Sequence, residues 1–164
     1  MAINPEKILF DAYEAHSEAI YRHCYFRLFS KERAEEAVQE TFMKTWQYLA
    51  DGKKIENIRA FLYRVASNAI VDEIRRKKED SLEDLMEKSE NLPGTSEDSA
   101  EHKMLLSQVR EAIHKLPEDF REIIVMRYID DLGPSEIAEA LGIKPNAASV
   151  RINRAIKELK KYLT

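Results

Sequence analysis

Hydrophobic residues recur along this chain at the three- and four-residue spacing of amphipathic helices, and nowhere with the alternation of a half-buried strand. Helix start signals stand at Asn4, Ser30 and Asn57. The first helix is predicted to run to about Leu28 and the second to stop near Gly52. The apolar stripes are Val38, Thr41, Phe42, Thr45, Trp46 and Leu49 in the second helix, and Phe61, Leu62, Val65, Ala66, Ala69, Ile70 and Ile74 in the third. The pattern predicts an all-α fold without a sheet.

The stretch from residue 79 to residue 101 has no sustained apolar period and is rich in Ser, Asp and Glu around a Pro-Gly pair. Such a composition is typical of a solvated linker, with room for a short helix around Leu82–Met86. Helical spacing resumes near Ser99, and a further helix follows a break at Leu116-Pro117; their apolar faces are predicted as Met104, Leu105, Val109, Ala112 and Ile113, then Phe120, Ile123, Ile124 and Tyr128. We therefore expect two small helical domains, residues 1–78 and 102–164, joined by an acidic flexible linker, residues 79–101.

The last thirty residues indicate a helix-turn-helix. A short helix from Pro134 is followed by a turn at Gly142 and a longer helix with two different faces. One face is apolar: Ala148, Ile152, Ala155, Ile156 and Leu159. The other combines Val150 with Asn153, Arg154 and Lys157. Arg and Asn side chains hydrogen-bond base edges and a small apolar group contacts a thymine methyl, so this face favours a DNA groove over plain solvent.

The charge distribution agrees with a nucleic-acid partner despite a net charge of −4. Residues 1–78 carry 14 basic and 12 acidic side chains, residues 79–101 carry 1 and 9, and residues 102–164 carry 11 and 9. The acidity is thus confined to the linker. Residues 144–164 hold six cations against one carboxylate, which is the footprint expected for phosphate contact.

A second polar row lies opposite the apolar stripe of the third helix. Arg64, Asn68, Val71 and Arg75 follow helical spacing over about three turns, and the helix ends in a run of cations. The row fits a second nucleic-acid surface. It also fits a solvated face whose basic end favours the helix dipole, and the residues alone leave both interpretations open.

Other classes of function find little support. The single cysteine, Cys24, allows no internal disulfide and is expected to be a small buried hydrophobe, and we find neither an export leader nor an apolar run long enough to span a membrane. We expect a cytoplasmic protein with no membrane insertion. His16 and His23 with Cys24 do not complete a metal site. We find no catalytic motif and expect no enzyme, no catalytic residue, no metal and no cofactor. Among the aromatic residues, Tyr63 is the one predicted to stack on a base.

Three segments of the chain carry distinctive motifs. They are EEAVQETFMKTWQYL (Glu35 to Leu49), AFLYRVASNAIVDEIRRKK (Ala60 to Lys78) and LPEDFREIIVMRYIDDLGPSEIAEALGI (Leu116 to Ile143). Together they resemble the extracytoplasmic-function sigma factors of bacterial RNA polymerase. The first two are similar to the family's second conserved region, and the third, with the helix after it, is similar to the fourth. The resemblance covers nearly the whole chain, with the segments in order on either side of an acidic linker.

The resemblance implies a factor that binds core RNA polymerase, through the clamp of the largest subunit and the flap of the second-largest, and directs it to promoter DNA. The clamp-binding residues would be Glu36, Gln39, Glu40 and Met43. The −10 element would be contacted by Arg64, Asn68, Asp72, Arg75 and Arg76, with an extruded base recognised by the loop residues Lys53, Lys54 and Ile55. The −35 element would be contacted by Asn146, Ser149, Val150, Arg151, Asn153, Arg154 and Lys157.

This chain departs from the family where Asn146-Ala147-Ala148-Ser149 replaces a Gly-Thr-Val entry to the last helix. Asn146 is predicted to cap that helix instead, and Gly133 with Pro134 to start the helix before it. The resemblance also implies an anti-sigma partner between the domains and a linker that threads the polymerase cleft. A soluble spacer explains the linker equally well. The rival functions are a helix-turn-helix regulator acting without polymerase and a structural helical adaptor.

Overall fold

The computed structural model describes residues 4–80 and 100–163, without the side chains of residues 78–80 and 102. In these two stretches the chain forms helices and no strand, as predicted. The helices are α1 (Pro5–Leu28), α2 (Lys31–Ala50), α3 (Ile58–Asp80), α4 (Ala100–Lys115), α5 (Glu118–Ile124), α6 (Pro134–Leu141) and α7 (Pro145–Leu163), with a π-helical segment at Val125–Ile129. The predicted linker and its short helix at Leu82–Met86 lie largely outside the described residues.

The first module packs α1, α2 and α3 against one another. All three start signals are confirmed: Asn4 accepts hydrogen bonds from the backbone of residues 6 and 7, Ser30 from Arg33 N at 3.3 Å, and Asn57 from Ala60 N at 3.2 Å. The core includes Ile20, Cys24, Leu62, Ala66 and Ile70, all buried. The predicted stripes of α2 and α3 therefore face inward and leave their polar rows exposed.

The second module contains the predicted helix-turn-helix. The turn between α6 and α7 has Gly142 at φ +69°, a conformation that side chains other than glycine seldom adopt. The buried face of α7 consists of Ala148, Ile152 and Ala155. Before α6, the chain widens into the π-helical segment, closed by a hydrogen bond from Asp130 N to Val125 O at 2.9 Å.

The helix α3 includes residues 79 and 80, the first two of the predicted linker, and α4 begins at Ala100, next to the Ser99 where helical spacing was predicted to resume. Other expectations need correction. Because α7 starts at Pro145, Asn146 lies inside the helix and is not its N-cap. Three residues assigned to apolar faces are largely exposed. Met104 and Leu105 lie in the N-terminal part of α4, whereas its C-terminal part carries the packing, and the π-helical turn directs Tyr128 outward.

The two modules are in direct contact, which the sequence did not predict. His23 Nδ1 lies 2.6 Å from Asp130 Oδ2, with both side chains buried. Arg27, only 1 % exposed, is hydrogen-bonded to Glu118 and lies 3.0 Å from Glu122. The buried apolar residues of both modules form one continuous cluster. The contact is therefore a packed interface that combines apolar core with the buried His23–Asp130 contact and the partly buried pairs of Arg27 with Glu118 and Glu122.

Candidate nucleic-acid and polymerase interfaces

The outer face of α7 presents all seven predicted −35 residues to solvent: Asn146, Ser149, Val150, Arg151, Asn153, Arg154 and Lys157. The opposite face is held in the module core, which fixes the rotation of the helix. Val150 is 46 % exposed although it is apolar, and it stands among amide and guanidinium groups. This face offers hydrogen-bond donors, positive charge and one methyl-bearing group, which is the chemistry that a major groove accepts.

The polar row of α3 is likewise exposed. Arg64, Asn68, Asp72 and Arg75 all face solvent, while Leu62, Ala66 and Ile70 hold the other side of the helix in the core. Arg76 is also exposed and pairs with Glu73 one turn earlier. The predicted −10 residues on this helix therefore form one accessible surface with cations toward its C-terminal end.

The predicted polymerase-binding residues of α2 share a groove with the end of that surface. Glu36, Gln39, Glu40 and Met43 line one wall, and Asp72, Arg75 and Arg76 line the other, around an open volume of about 720 Å³. Met43 is 60 % exposed, which is unusual for a large apolar side chain and favours a contact with a partner. The two predicted sites are thus neighbours rather than separate features.

The loop before α3 surrounds a smaller cavity of about 230 Å³, hereafter the loop pocket. Its lining comprises Tyr48, Lys54, Ile55, Glu56, Asn57, Ala60, Phe61, Arg64 and Glu139. Gly52 enters the loop at φ +83°, and Lys53 Nζ lies 5.2 Å from the centre of the Tyr48 ring. The structure thus brings two of the three predicted loop residues to one pocket and places the third on an adjacent aromatic ring.

The expectation that Tyr63 stacks on a base is wrong. Tyr63 is 1 % exposed and packs edge-on against His23 at 5.3 Å between ring centroids. Burial raises the pKa of its phenol, and Asp130 adds to that effect. The aromatics at the loop pocket are Tyr48 and Phe61, with centroids 4.8 Å apart. The two residues are thirteen positions apart in the sequence and meet only because α2 packs on α3, so no local spacing predicted the pair.

A further apolar surface was missed. Leu9, Phe10, Tyr13, Phe42 and Trp46 line an open groove of about 560 Å³ between α1 and α2, with Glu6 at its rim. Phe10 is 63 % exposed and Tyr13 is 50 % exposed. On α1 these side chains follow the same spacing as core positions, so the sequence gives no means of separating them from the core.

The single cysteine has a structural place in the first module. Cys24 is fully buried, as expected, and burial raises the pKa of its thiol to about 12. Residues 4–80 and 100–163 contain no cluster of three or more His, Cys, Asp or Glu side chains suited to a metal ion. In the same stretches no helix is both long and apolar enough to cross a membrane.

Comparison with known proteins decides between the candidate families. The models for sigma-70 region 2 and sigma-70 region 4 match residues 12–79 and 106–159. The ECF RNA polymerase sigma factor SigW of Bacillus subtilis is 31 % identical over 163 residues, covering 93 % of this chain and 87 % of that protein. The chain belongs to the extracytoplasmic-function sigma factors.

Solved structures agree with this sigma-factor fold. CnrH, in complex with the cytosolic domain of CnrY, matches with a TM-score of 0.72 at 23 % identity, over 96 % of this chain and 88 % of CnrH. The sigma factor RpoE of Bartonella quintana, in complex with the anti-sigma factor NepR, gives 0.72 at 21 % identity, over 96 % and 95 %. The family makes this protein a transcription initiation factor, and it favours polymerase-directed initiation over the helix-turn-helix regulator as the function.

Proposed function

We propose that this sigma factor acts in the cytoplasm without catalysing a reaction itself, and that three exposed helix faces make its contacts with polymerase and promoter DNA. The outer face of α2 binds the clamp of core polymerase. The row on α3 and the loop pocket contact the −10 element and hold an extruded base, and α7 enters the major groove at the −35 element. The domain limits at 1–78, 79–101 and 102–164 and the flap contact of the second module are part of the same proposal.

The observation that supports this proposal best is the shared groove between α2 and α3. A polymerase clamp seated on Glu36, Gln39 and Met43 would lie beside Asp72 and Arg75. The strand captured by α3 would then be held next to the polymerase itself. Such proximity is needed because unstacking a base costs a few kcal/mol, which contacts made at the same place must return.

The electrostatics of α2 indicate the chemistry of its partner. Glu32, Glu36 and Glu40 recur on one side of the helix, and Glu40 pairs with Lys44 at 3.1 Å. That i, i+4 pair is half exposed and contributes little. The face is therefore acidic with an apolar centre at Met43, and it suits a basic surface with an apolar contact.

A charge reversal at neighbouring positions tests the docking face. Glu36→Lys should weaken the affinity for core polymerase by roughly tenfold or more, as expected when one charge at an interface becomes repulsive. Glu35→Lys makes the same change one residue away, about a quarter-turn round the helix, and serves as the matched control. Both affinities are measured by fluorescence anisotropy of the labelled sigma factor with purified core enzyme. Equal losses in the two variants would remove α2's outer face from the docking assignment.

We also infer an anti-sigma partner, as in the solved complexes of related fold. In this structure the modules bury His23 against Asp130 and Arg27 against α5, so an inhibitor inserted between them would have to replace those bonds. Co-expression with candidate inhibitors, followed by protection of this interface from hydrogen exchange, tests the inference.

A further inference from the structure

The loop pocket is lined by both modules. Eight of its residues come from α2, the loop and α3, whereas Glu139 comes from α6 of the helix-turn-helix. Asn57 Nδ2 donates a hydrogen bond to Glu139 Oε2 at 3.1 Å. A carboxylate of one promoter-binding module thus occupies the edge of the pocket assigned to the other.

Arg59 of the first module, close to the loop pocket, also donates hydrogen bonds to α6 and to the turn before it. Arg59 Nη1 donates to Glu136 Oε2 at 2.8 Å, and Arg59 Nη2 donates to the backbone oxygen of Asp130 at 3.0 Å. A Cβ added at Gly142 would lie 4.0 Å from Arg64 Nη2, so Arg64 packs close to the turn after α6. The donors around the loop pocket therefore face α6 and its flanking turns, where DNA would have to lie.

From this arrangement we infer that the free protein is self-occluded: α6 caps the loop pocket, and Glu136 and Glu139 take the positions of DNA acceptor groups. This inference rests on the proposed −10 function of the pocket. A carboxylate oxygen accepts from an amide or a guanidinium as a phosphate or base oxygen does. It also repels the phosphate backbone, so a strand approaching α3 meets both a steric and an electrostatic barrier.

The occlusion is anchored beneath the cap by the buried bonds of the interface. Asp130, which contacts His23 of α1, lies at the start of the turn that leads into α6, and Arg27 of α1 holds α5. Separation of the modules must break these contacts together. Polymerase binding, which engages the two modules at the clamp and the flap, would supply the energy for that separation, so promoter recognition would be confined to the holoenzyme.

A pair of alanine variants tests the cap by binding of single-stranded DNA. The probe is a fluorescein-labelled oligonucleotide pool with a randomised centre, titrated with full-length protein without polymerase. Glu139→Ala removes the capping carboxylate and should tighten binding roughly tenfold, the factor expected for loss of one charge-assisted hydrogen bond that holds the closed state. Glu56→Ala removes the same charge from the same pocket without touching α6, so it measures the purely electrostatic contribution.

A reversible cross-link provides an independent measurement. The double variant Asn57→Cys, Glu139→Cys, joined by a cleavable bismaleimide, should lose oligonucleotide binding, and reductive cleavage should restore it. Cys24 is buried with a raised thiol pKa and will not compete for the reagent. The same variant blocked with a monofunctional maleimide is the control, and circular dichroism confirms folding of each sample.

The outcomes separate this inference from the proposed function. Equal oligonucleotide affinities of Glu139→Ala and Glu56→Ala, with unimpaired binding by the cross-linked protein, overturn the cap. If the reconstituted holoenzyme still gives promoter-dependent transcription, only the cap is overturned and the proposed function stands. Absence of any transcription by wild-type holoenzyme overturns the proposed function, whatever the oligonucleotide titrations show. Tighter binding by Glu139→Ala than by Glu56→Ala, with reversible loss on cross-linking, supports the cap.

Discussion

Replacing Arg27 with methionine should open the two modules without unfolding either one. The Arg27 guanidinium donates to Ser67 Oγ at 3.1 Å within its own module and to Glu118 Oε1 at 3.1 Å across the interface, with Glu122 at 3.0 Å. Methionine keeps much of the apolar volume and removes the charge. Breaking a buried ion pair by removing one partner costs about 3–5 kcal/mol, because the other charge stays desolvated.

The structure places the effect near the lower end of that range. The side chains of Glu118 and Glu122 retain 33 % and 18 % exposure, so solvent already screens part of their charge. Both carboxylates regain full hydration if α5 moves away from α1. We therefore expect about 3 kcal/mol against the closed arrangement, a shift of roughly a hundredfold in the closed-to-open equilibrium.

Small-angle X-ray scattering measures this opening as an increased radius of gyration, with far-ultraviolet circular dichroism as the check on helix content. Ser67→Ala is the matched control, since it removes only the bond inside the first module and should lower stability by about 1 kcal/mol without expansion. Arg27→Met with an unchanged scattering profile and a loss of helix would refute the reasoning, because the arginine would then support the module itself and not the interface.

Three further predictions concern single side chains. Asn68→Ala should impair open-complex formation on duplex promoters while core-polymerase affinity is retained, which permanganate footprinting and anisotropy measure together; unchanged opening would reject the assignment of Asn68 to the −10 contact. Arg154→Ala should weaken −35 recognition by about 1–3 kcal/mol if Arg154 contacts a base, and competition between matched and mutated sites distinguishes this from a uniform phosphate effect. Burial and neighbouring cations lower the pKa of His114 in the folded protein. The contribution of His114 to the free energy of unfolding should therefore be fully present above the ordinary histidine pKa of 6.5 and fall as the pH drops below it. Urea unfolding at pH 7.5 and 5.5 should show a smaller loss of stability for His114→Gln than for wild type.

Local features of this fold were predictable because each depends on adjacent residues. Asn4, Ser30 and Asn57 cap their helices as expected, since capping needs only the side-chain oxygen and the next three amides. The exposed faces of α3 and α7 follow from periodicity alone. Gly142 likewise marks its turn through its own conformational freedom.

The predictions failed where tertiary packing, and not the local sequence, determines whether a side chain is buried or exposed. Tyr63 lies off the apolar stripe by spacing, yet it is buried against His23 of α1, and the aromatics at the loop pocket are Tyr48 and Phe61. The π-helical turn exposes Tyr128 through one extra residue that no periodic template contains. The partnership of His23 with Asp130 spans 107 positions, and no local rule connects them.

The proposed function requires this chain to carry core polymerase to promoters by two separate DNA-binding faces. In vitro transcription with purified core enzyme, this protein and a library of randomised upstream sequences tests it most directly. We expect transcripts whose templates share two conserved blocks at a fixed separation. Enrichment of the upstream block should be lost in Arg154→Ala, and enrichment of the downstream block should be lost in Asn68→Ala. Transcripts that do not depend on the added protein, or templates without shared blocks, would contradict it.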